Sequence, residues 1–495
     1  MDITQDSIAL MNAALAKASA NLDVTKTITT ANNLAAYDLQ APAKNLYPVF
    51  TPLRNSIPRV GGGKGLATNW RTVRNIIGSG YDTSAWVPEG QRSARMSYNT
   101  QTVAASYVTQ GEEDNVTFEA VNAGRTFEDV RATMAFRLLQ KTMLKEENAI
   151  LGGNASLQLG VPSTPTLSAS GSTGSTLPAA TYSVIVVALT QEGYYNSSVS
   201  NGVATQQTLT GADGSTYTQK GGSSNQSANA TQAVTLGQTL FATVAVVTGA
   251  VAYAWYVGTA GNEKLQQITT INSATFTAPL LSTTQVATAI TADNSYNSLA
   301  YNGLLSAAFN PANGAYVYTC PTGGGGLTAS GNGSIVEIDN ALKAMWDNYQ
   351  LSSTVIYANS QEIRNITKKV MTNSQGSLIR YNTGDGKQNE PFAVVAGGVV
   401  NSYFNPFMPE GGMLIPVKIH PKLPPGTVIL WCERLPIYYQ NNEVENVAEI
   451  KTRQDYYQID WPVVSRSYSS GVYCETVLAI YAPFALGIIT NIANL

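Results

Sequence analysis

Two strand-like stretches separated by a long polar turn decide how this chain folds: LATNWRTVRNII at residues 66–77 and QTVAASYVTQ at residues 101–110. The sequence GSGYDTSAWVPEGQRSAR lies between them at residues 78–95, and four glycines among residues 61–65 precede the first stretch. The alternation of apolar and polar residues predicts an antiparallel pair of strands with an irregular tip. A lone hairpin is only marginally stable in water, so we expect this arm to pack on other molecules.

A long amphipathic helix is predicted after the arm, over residues 126–151, TFEDVRATMAFRLLQKTMLKEENAIL. Thr126 and Asp129 have the spacing of a capping box at its start, and Gly152 follows its last turn. About 25 residues at ~1.5 Å each would make a helix of about 37 Å, long enough to act as a strut. The apolar stripe of this helix consists of Phe127, Val130, Met134 and Leu138, widened by Phe136, Leu139 and Met143.

The second half of the chain mixes helices and strands. Helical periodicity predicts helices over residues 334–349 and 360–371, and an apolar run predicts a strand over residues 353–358. The stretch TVLAIYAPFALGIIT at residues 476–490 is too short to cross a bilayer, which takes about 20 residues, and Pro483 interrupts it. It predicts a buried pair of strands, and the chain as a whole reads as an α+β protein.

The middle of the chain is a module with very little charge. Only five charged residues lie between positions 161 and 290. The runs TYSVIVVALT at 181–190 and AYAWYV at 252–257 are rich in β-branched and aromatic residues, and Gly/Ser-rich turns separate such runs. The pattern predicts a β-sandwich and resembles strands of immunoglobulin-like and fibronectin-like domains. That resemblance says nothing about a ligand.

The composition disfavours catalysis and metal binding. His420 is the single histidine, Cys320, Cys432 and Cys474 are widely spaced, and no CxxC pair occurs. We therefore expect no cofactor, no metal and no enzymatic activity, and a structural or surface role for His420. The formal net charge of −3 disfavours a dedicated nucleic-acid binder. The acidic run Glu112–Asp114 reads as a solvated loop ahead of the long helix.

Several stretches, in their order along the chain, resemble the major capsid proteins of tailed bacteriophages, the Hong Kong 97-like fold. They are LAAYDLQAPAKNLYPVFTPLRNSIPRVGGGKGLATNWRT at 34–72, KEENAILGGN at 145–154, NGLL at 302–305, the helix at 334–346, and ETVLAIYAPFA at 475–485. The resemblance covers the chain outside the charge-poor module. It implies an α+β capsid fold with an inserted all-β, immunoglobulin-like sandwich.

The resemblance also assigns the parts of the chain. They are an N-terminal arm (1–57), an extended loop formed by a long β-hairpin (58–110), a peripheral domain with the spine helix (111–160), the inserted sandwich (161–295), an axial domain (296–435) and the peripheral-domain strands (436–495). The sandwich would lie on the outer surface of a shell. Some family members crosslink a loop lysine to an asparagine of a neighbouring subunit. Residues 78–95 contain no lysine, so we expect no such chemistry.

Bulky and charged side chains of the arm and its base are the candidates for contacts between subunits, because Trp and Arg often anchor interfaces. The alternative for each is an ordinary solvated surface residue. The candidates are Arg54, Trp70, Arg71, Arg74, Trp86, Glu89 and Arg92.

The function that the resemblance implies is structural. The chain would be the major capsid protein of a tailed double-stranded DNA phage. It would assemble in the host cytoplasm as hexamers and pentamers into the icosahedral shell of the virion. Its partners would be copies of itself, packaged DNA held nonspecifically, and scaffold, portal or decoration proteins, with no membrane. Two alternatives stay open: an encapsulin-like compartment shell, and a surface adhesin built around the sandwich, although the N-terminus lacks the basic start of a secretion signal.

Overall fold

The structure is a computed structural model, and it describes residues 13, 47–79, 83–84, 86–125, 128–171, 174–330, 333–371, 400–408, 411–436 and 444–494. The chain forms two units, one of residues 1–48 and 119–130, the other of residues 49–118 and 131–495. The predicted N-terminal arm up to residue 46, apart from Ala13, lies outside the described residues, as do the predicted helix cap Thr126 and the stripe residue Phe127.

The larger unit begins with a short helix and a two-stranded ribbon. Helix α1 covers Pro52–Ser56 and strand β1 covers Arg59–Val60. Strands β2 (Ala67–Ile77) and β3 (Ser97–Ser106) are antiparallel and form a sheet of their own. The arm predicted from the sequence is therefore present. The predicted bounds of its second strand are wrong, because the ribbon closes where the Tyr107 N–H donates to the Leu66 carbonyl over 3.0 Å.

The chain then enters a different sheet and the long helix. Strand β4 covers Val108–Thr117, helix α2 Phe118–Gly124 and helix α3 Val130–Gly152. The loop predicted for the acidic run Glu112–Asp114 is wrong, because these residues lie within β4 and pair with a strand near the C-terminus. The end of the long helix at Gly152 agrees with the prediction, while the helix starts four residues later than predicted.

The charge-poor module is a two-sheet sandwich. Its strands pair antiparallel in the orders β13-β10-β5 and β12-β11-β6-β9, and β7–β8 is a separate hairpin. Between the sheets lie fully buried side chains such as Val184, Leu240 and Trp255. The predicted β-sandwich is present, and its immunoglobulin-like identity stays a prediction. The elements are β5 (Thr166–Gly171), β6 (Ala180–Leu189), α4 (Gln191–Asn196), β7 (Gln206–Thr210), β8 (Thr216–Lys220), β9 (Ala230–Val234), β10 (Gln238–Thr243), β11 (Ala252–Thr259), β12 (Asn262–Thr269) and β13 (Ser273–Phe276).

Buried polar contacts hold the sandwich against the segments that follow it in the chain. The Asn491 side chain donates to the Asn272 side chain over 2.9 Å and to the carbonyls of Cys320 and Pro321 over 3.0 and 3.1 Å. In return, the Asn272 N–H donates to the Asn491 side chain over 2.8 Å. Buried amides with satisfied hydrogen bonds fix geometry, so the sandwich is held in a fixed position.

Two further sheets complete the larger unit. A six-stranded mixed sheet has the order β14-β21-β18-β15-β17-β16, and a four-stranded sheet has the order β1-β19-β20-β4. The central strands of the six-stranded sheet are continuous apolar runs because both of their faces are buried. The elements are α5 (Leu304–Phe309), β14 (Tyr316–Thr319), α6 (Val336–Tyr349), β15 (Val355–Ala358), α7 (Ser360–Met371), β16 (Ser402–Asn405), β17 (Met413–Ile419), β18 (Val428–Trp431), β19 (Ala448–Asp460), β20 (Ser467–Ile480) and β21 (Leu486–Thr490).

This architecture confirms the α+β class. The buried strands predicted for residues 476–490 are the end of β20 and all of β21, joined by a 3₁₀ turn at Pro483–Ala485. Within the described ranges, no helix is both long enough and apolar enough to span a bilayer. The contacts described above do not test the predicted domain boundaries, which remain predictions.

Candidate assembly surface

The β2–β3 ribbon is held at its base by contacts with the rest of the chain. The Trp70 indole packs edge-on against the Tyr481 ring, with 5.3 Å between the ring centroids. Gly63 lets Tyr107 lie close to the chain beside this base, because a Cβ atom there would overlap the Tyr107 hydroxyl and displace that ring. The Gly63 N–H donates to the Thr452 carbonyl over 3.0 Å. These contacts fix where the ribbon leaves the rest of the chain.

Beyond its base the ribbon exposes large apolar side chains. Val73 and Ile76 are three residues apart, a spacing that places two side chains on opposite faces of a regular strand. A bulge between Val73 and Asn75 inserts one residue, so that Val73 lies opposite Thr100 and Ile76 opposite Tyr98. Thr100 and Tyr98 share a face of β3, and the bulge therefore brings Val73 and Ile76 onto that same face. Ile76 is 63% exposed and Tyr98 61%.

The described residues of the arm's tip are almost fully solvated. Trp86 is 93% exposed, and a turn in which the Gln91 N–H donates to the Pro88 carbonyl over 3.1 Å follows it. Glu89 and Arg92 are exposed and make no ion pair within the described part of the chain. A tryptophan this exposed loses nothing within its own chain when a partner covers it, because it packs against nothing there.

The candidate contact residues therefore differ in their surroundings. Trp86, Glu89 and Arg92 are free at the tip, whereas Trp70 packs against its own chain. Arg71 is exposed and donates to the Thr100 hydroxyl across the ribbon over 2.8 Å. The side chain of Arg74 lies outside the described residues.

Arg54 forms its ion pair within the chain instead of presenting a free charge. Its Nε donates to Glu146 Oε2 over 3.0 Å, and its guanidinium lies 5.1 Å from the centre of the Tyr456 ring. Arg59 completes the cluster, donating to Glu146 over 2.8 Å and to Asp455 over 2.6 Å. Burial lowers the pKa of Arg59, but the carboxylates of Asp455 and Glu146 more than offset burial and hold that pKa above its ordinary value.

A second buried carboxylate fixes α1, and the sequence reasoning did not find it. Glu147 accepts hydrogen bonds from the backbone N–H groups of Leu53 (2.9 Å) and Arg54 (2.7 Å). His420 is buried and bonds to the same carboxylate through Nε2 over 2.7 Å. The Lys422 N–H donates to His420 Nδ1, so Nδ1 is the acceptor and Nε2 carries the proton. Adjacent glutamates near the end of an amphipathic helix were the available signal, since buried carboxylates need partners.

Two other surfaces expose apolar side chains. The turn between β19 and β20 carries Trp461, Val463 and Val464, and Val464 is 96% exposed. Strands β16 and β17 place Phe404 directly opposite Leu414, and both are exposed. Because exposed apolar residues lie next to one another at both places, these surfaces are candidates for contact sites.

The described residues offer little reactive chemistry. They contain no cluster of three or more potential metal ligands. All three cysteines are free and buried, and burial raises the pKa of each thiol to about 12. Thiols of this kind are unreactive at neutral pH.

Comparison with known proteins gives structural likeness only. No protein-family model matches the chain, and no curated protein matches it. The capsid of a native GTA particle aligns with 95% of this chain and 100% of its own, at 10% identity and a TM-score of 0.44. The capsid of Cyanophage A-1(L) aligns with 94% of this chain and 99% of its own, at 11% identity and a TM-score of 0.42. The SrpI encapsulin from Synechococcus elongatus aligns with 95% of this chain and 97% of its own, at 8% identity and a TM-score of 0.40.

Proposed function

We propose that this chain is a shell-forming structural protein, the major capsid protein of a tailed double-stranded DNA phage. Copies assemble as hexamers and pentamers into an icosahedral head in the host cytoplasm and remain in the virion. The chain acts by self-assembly and not by catalysis. The observation that carries this proposal is the arm, whose base is fixed and whose remaining length exposes apolar side chains.

The size of the exposed surface supports assembly into many-membered particles. Fully covering a large apolar side chain contributes about 1.5–3 kcal/mol. The partly exposed apolar side chains of the arm would together contribute on the order of 10 kcal/mol, before the cost of association is subtracted. Association itself costs an estimated ~4–15 kcal/mol. The free energy gained by covering one arm therefore roughly offsets the cost of association. A stable particle then needs contacts on several sides of each copy. The apolar side chains of the arm are Leu66, Val73, Ile76, Ile77, Trp86, Val87, Met96 and Tyr98.

The geometry of the arm also favours head-to-tail contacts. An arm that is held at its base can contact a surface of the next copy in a ring that is not itself an arm. Such heterologous contacts close into rings when the rotation between copies permits. The exposed surfaces at the β19–β20 turn and at β16–β17 supply further contact sites.

The sandwich fits the outside of such a shell. Its few charges and its fixed attachment through Asn272 and Asn491 suit a module that is displayed in one orientation. Packaged DNA would be held nonspecifically and weakly, because the net charge of −3 provides few free cations for phosphate. Scaffold, portal or decoration proteins are the further partners.

Sedimentation velocity and negative-stain electron microscopy of the full chain test this function. We expect the full chain to form closed isometric particles. A variant whose residues 79–95 are replaced by a tight Asn-Gly turn should form no particles, while its melting temperature should be unchanged. Nuclease-protected DNA inside particles isolated from cells would separate a capsid from an encapsulin-like compartment. A chain that stays monomeric at high concentration, with its arm protected from hydrogen exchange, would refute the proposal and favour the adhesin.

A further inference from the structure

The short helix of the sandwich, α4, contacts a turn that lies far from it in the sequence. This turn covers residues 420–423, with the sequence HPKL, and is called the HPKL turn below. The buried Gln191 side chain donates to the Lys422 carbonyl over 3.1 Å. The Tyr195 hydroxyl shares its hydrogen bond between two other carbonyls of the turn, over 3.2 and 3.4 Å. The Lys422 ammonium lies 5.0 Å from the centre of the Tyr195 ring, a cation–π distance. The sandwich therefore packs on the HPKL turn.

The HPKL turn is stiff and is held at both of its ends. Three prolines lie among residues 421–425, and proline fixes its own backbone torsion φ. The His420 N–H donates to the Ala358 carbonyl at the end of β15 over 3.0 Å. At the other end, the Asn359 side chain donates to the carbonyl of Leu423 over 2.7 Å, and the Leu423 side chain is fully buried. Because the turn has little freedom of its own, a displacement on its sandwich side also displaces the backbone around His420.

The side chain of His420 joins this turn to the long helix and to α1. His420 is 1% exposed. Its Nδ1 accepts from the Lys422 N–H over 3.2 Å, and its Nε2 donates to Glu147 over 2.7 Å. Glu147 also accepts from the backbone N–H groups of Leu53 and Arg54 in α1. Each ring nitrogen thus has one partner, and the neutral imidazole satisfies both partners in a single tautomer.

We propose that His420 couples the sandwich to helix α1, so that a change in the contacts of α4 alters how firmly α1 is held. The coupling runs from α4 through the HPKL turn, the imidazole of His420 and the carboxylate of Glu147 to the backbone of α1. A contiguous network of hydrogen bonds can carry energetic coupling between distant sites, and such coupling acts equally in both directions.

The consequence of this coupling concerns the segment from which the arm emerges. Helix α1 is followed by β1 and then by the arm. A molecule that binds the sandwich and shifts α4 would therefore change the stability of the segment that leads into the arm. The coupling goes beyond the proposed function and does not depend on it, because every group involved belongs to one chain.

Hydrogen exchange of the full chain, below the concentration at which it assembles, tests this coupling. The reporters are the backbone amides of Leu53 and Arg54, which bond to Glu147. Tyr195→Phe removes only the hydroxyl that contacts the HPKL turn, and we expect it to accelerate the exchange of both amides about three- to tenfold. Tyr217→Phe, in the β7–β8 hairpin of the same module, is the matched control and should leave both amides unchanged.

Two substitutions of His420 separate the two ends of its imidazole. His420→Gln keeps an N–H donor near the position of Nε2 and loses the acceptor for the Lys422 N–H. His420→Asn keeps an acceptor near the position of Nδ1 and loses the donor to Glu147. We expect His420→Asn to accelerate the reporter amides by itself, and His420→Gln to do so less. In either background Tyr195→Phe should have no further effect on the reporters, because one link is already broken.

Amides of the buried strand β18 distinguish coupling from a general loss of stability. Their exchange should be the same in the Tyr195→Phe variant and in the unmodified chain, because coupling affects local opening and not global unfolding. An equal acceleration of β18 and of the reporters would overturn the proposal. Unchanged exchange of Leu53 and Arg54 in the Tyr195→Phe variant, or an effect of this substitution that persists in both His420 backgrounds, would also overturn it. These outcomes leave the shell function intact, since that function is tested by particle formation.

Discussion

Removing the apolar pair Ile76 and Tyr98 from the arm should abolish assembly at ordinary concentrations without weakening the folded chain. The two side chains lie directly opposite each other and are each about three-fifths exposed. Covering the exposed part of each contributes about 1–2 kcal/mol, from ~1.5–3 kcal/mol for complete burial. The double variant I76S/Y98S therefore loses about 3 kcal/mol per contact. A factor of ten in affinity corresponds to 1.4 kcal/mol, so each contact weakens roughly 100-fold.

The assay is the critical concentration for particle formation, measured by light scattering and sedimentation, with unfolding by urea measured in parallel. We expect the critical concentration to rise by about two orders of magnitude, following the 1.4 kcal/mol per factor of ten, while the urea midpoint stays the same. The variant L236S is the matched control, since Leu236 is 79% exposed in a turn of the sandwich. An unchanged critical concentration, or a urea midpoint that falls as far as assembly does, would refute the reasoning.

Three further predictions concern the interior. Glu147→Gln places an amide N–H against one of three buried donors and should cost about 1–3 kcal/mol, seen as a lower urea midpoint; an unchanged midpoint would contradict the role of Glu147 at α1. The three cysteines should resist a thiol reagent at pH 8 until the chain is unfolded, because burial raises each pKa to about 12; rapid labelling of the native chain would show that they are accessible. Burial raises the pKa of Glu192 from 4.5 to about 7. Between those values the folded state binds more protons than the unfolded state, so stability should fall as pH rises from about 5 to 7; Glu192→Gln should remove this slope, and a slope that persists would contradict the assignment.

Elements with a clear period were predictable from the sequence. Helix α7 has the predicted bounds, Ser360–Met371, because Ile363, Ile366 and Val370 repeat at helical spacing and pack into one core. The arm was predictable for a different reason. The sequence shows no evident packing partner for its alternating strands and polar tip. In the structure, the apolar side chains of the arm are accordingly exposed.

Contacts between distant residues were not predictable. Glu113 lies in a strand and bonds to Tyr473, 360 positions away, and no local pattern distinguishes this from a solvated acidic loop. Arg54 is similar, because its partner Glu146 lies 92 positions away in the sequence. From the sequence alone, a basic residue near the arm predicts an exposed charge. Only the fold shows that a buried carboxylate lies beside it.

The register of the ribbon also could not be predicted from the sequence. The bulge between Val73 and Asn75 decides which face carries Ile76, and a one-residue change of register moves side chains to the other face. The alternation alone indicated a strand pair. The apolar face that the arm offers to a partner required the hydrogen-bonded register.

The most direct test of self-assembly through the arm is a cryo-electron microscopy map of the assembled particle in which side chains are resolved. Ile76, Tyr98 and Trp86 of each copy should lie against a neighbouring copy, excluded from solvent. A particle in which both faces of the ribbon remain in solvent, or in which the ribbon lies along its own chain, would contradict it.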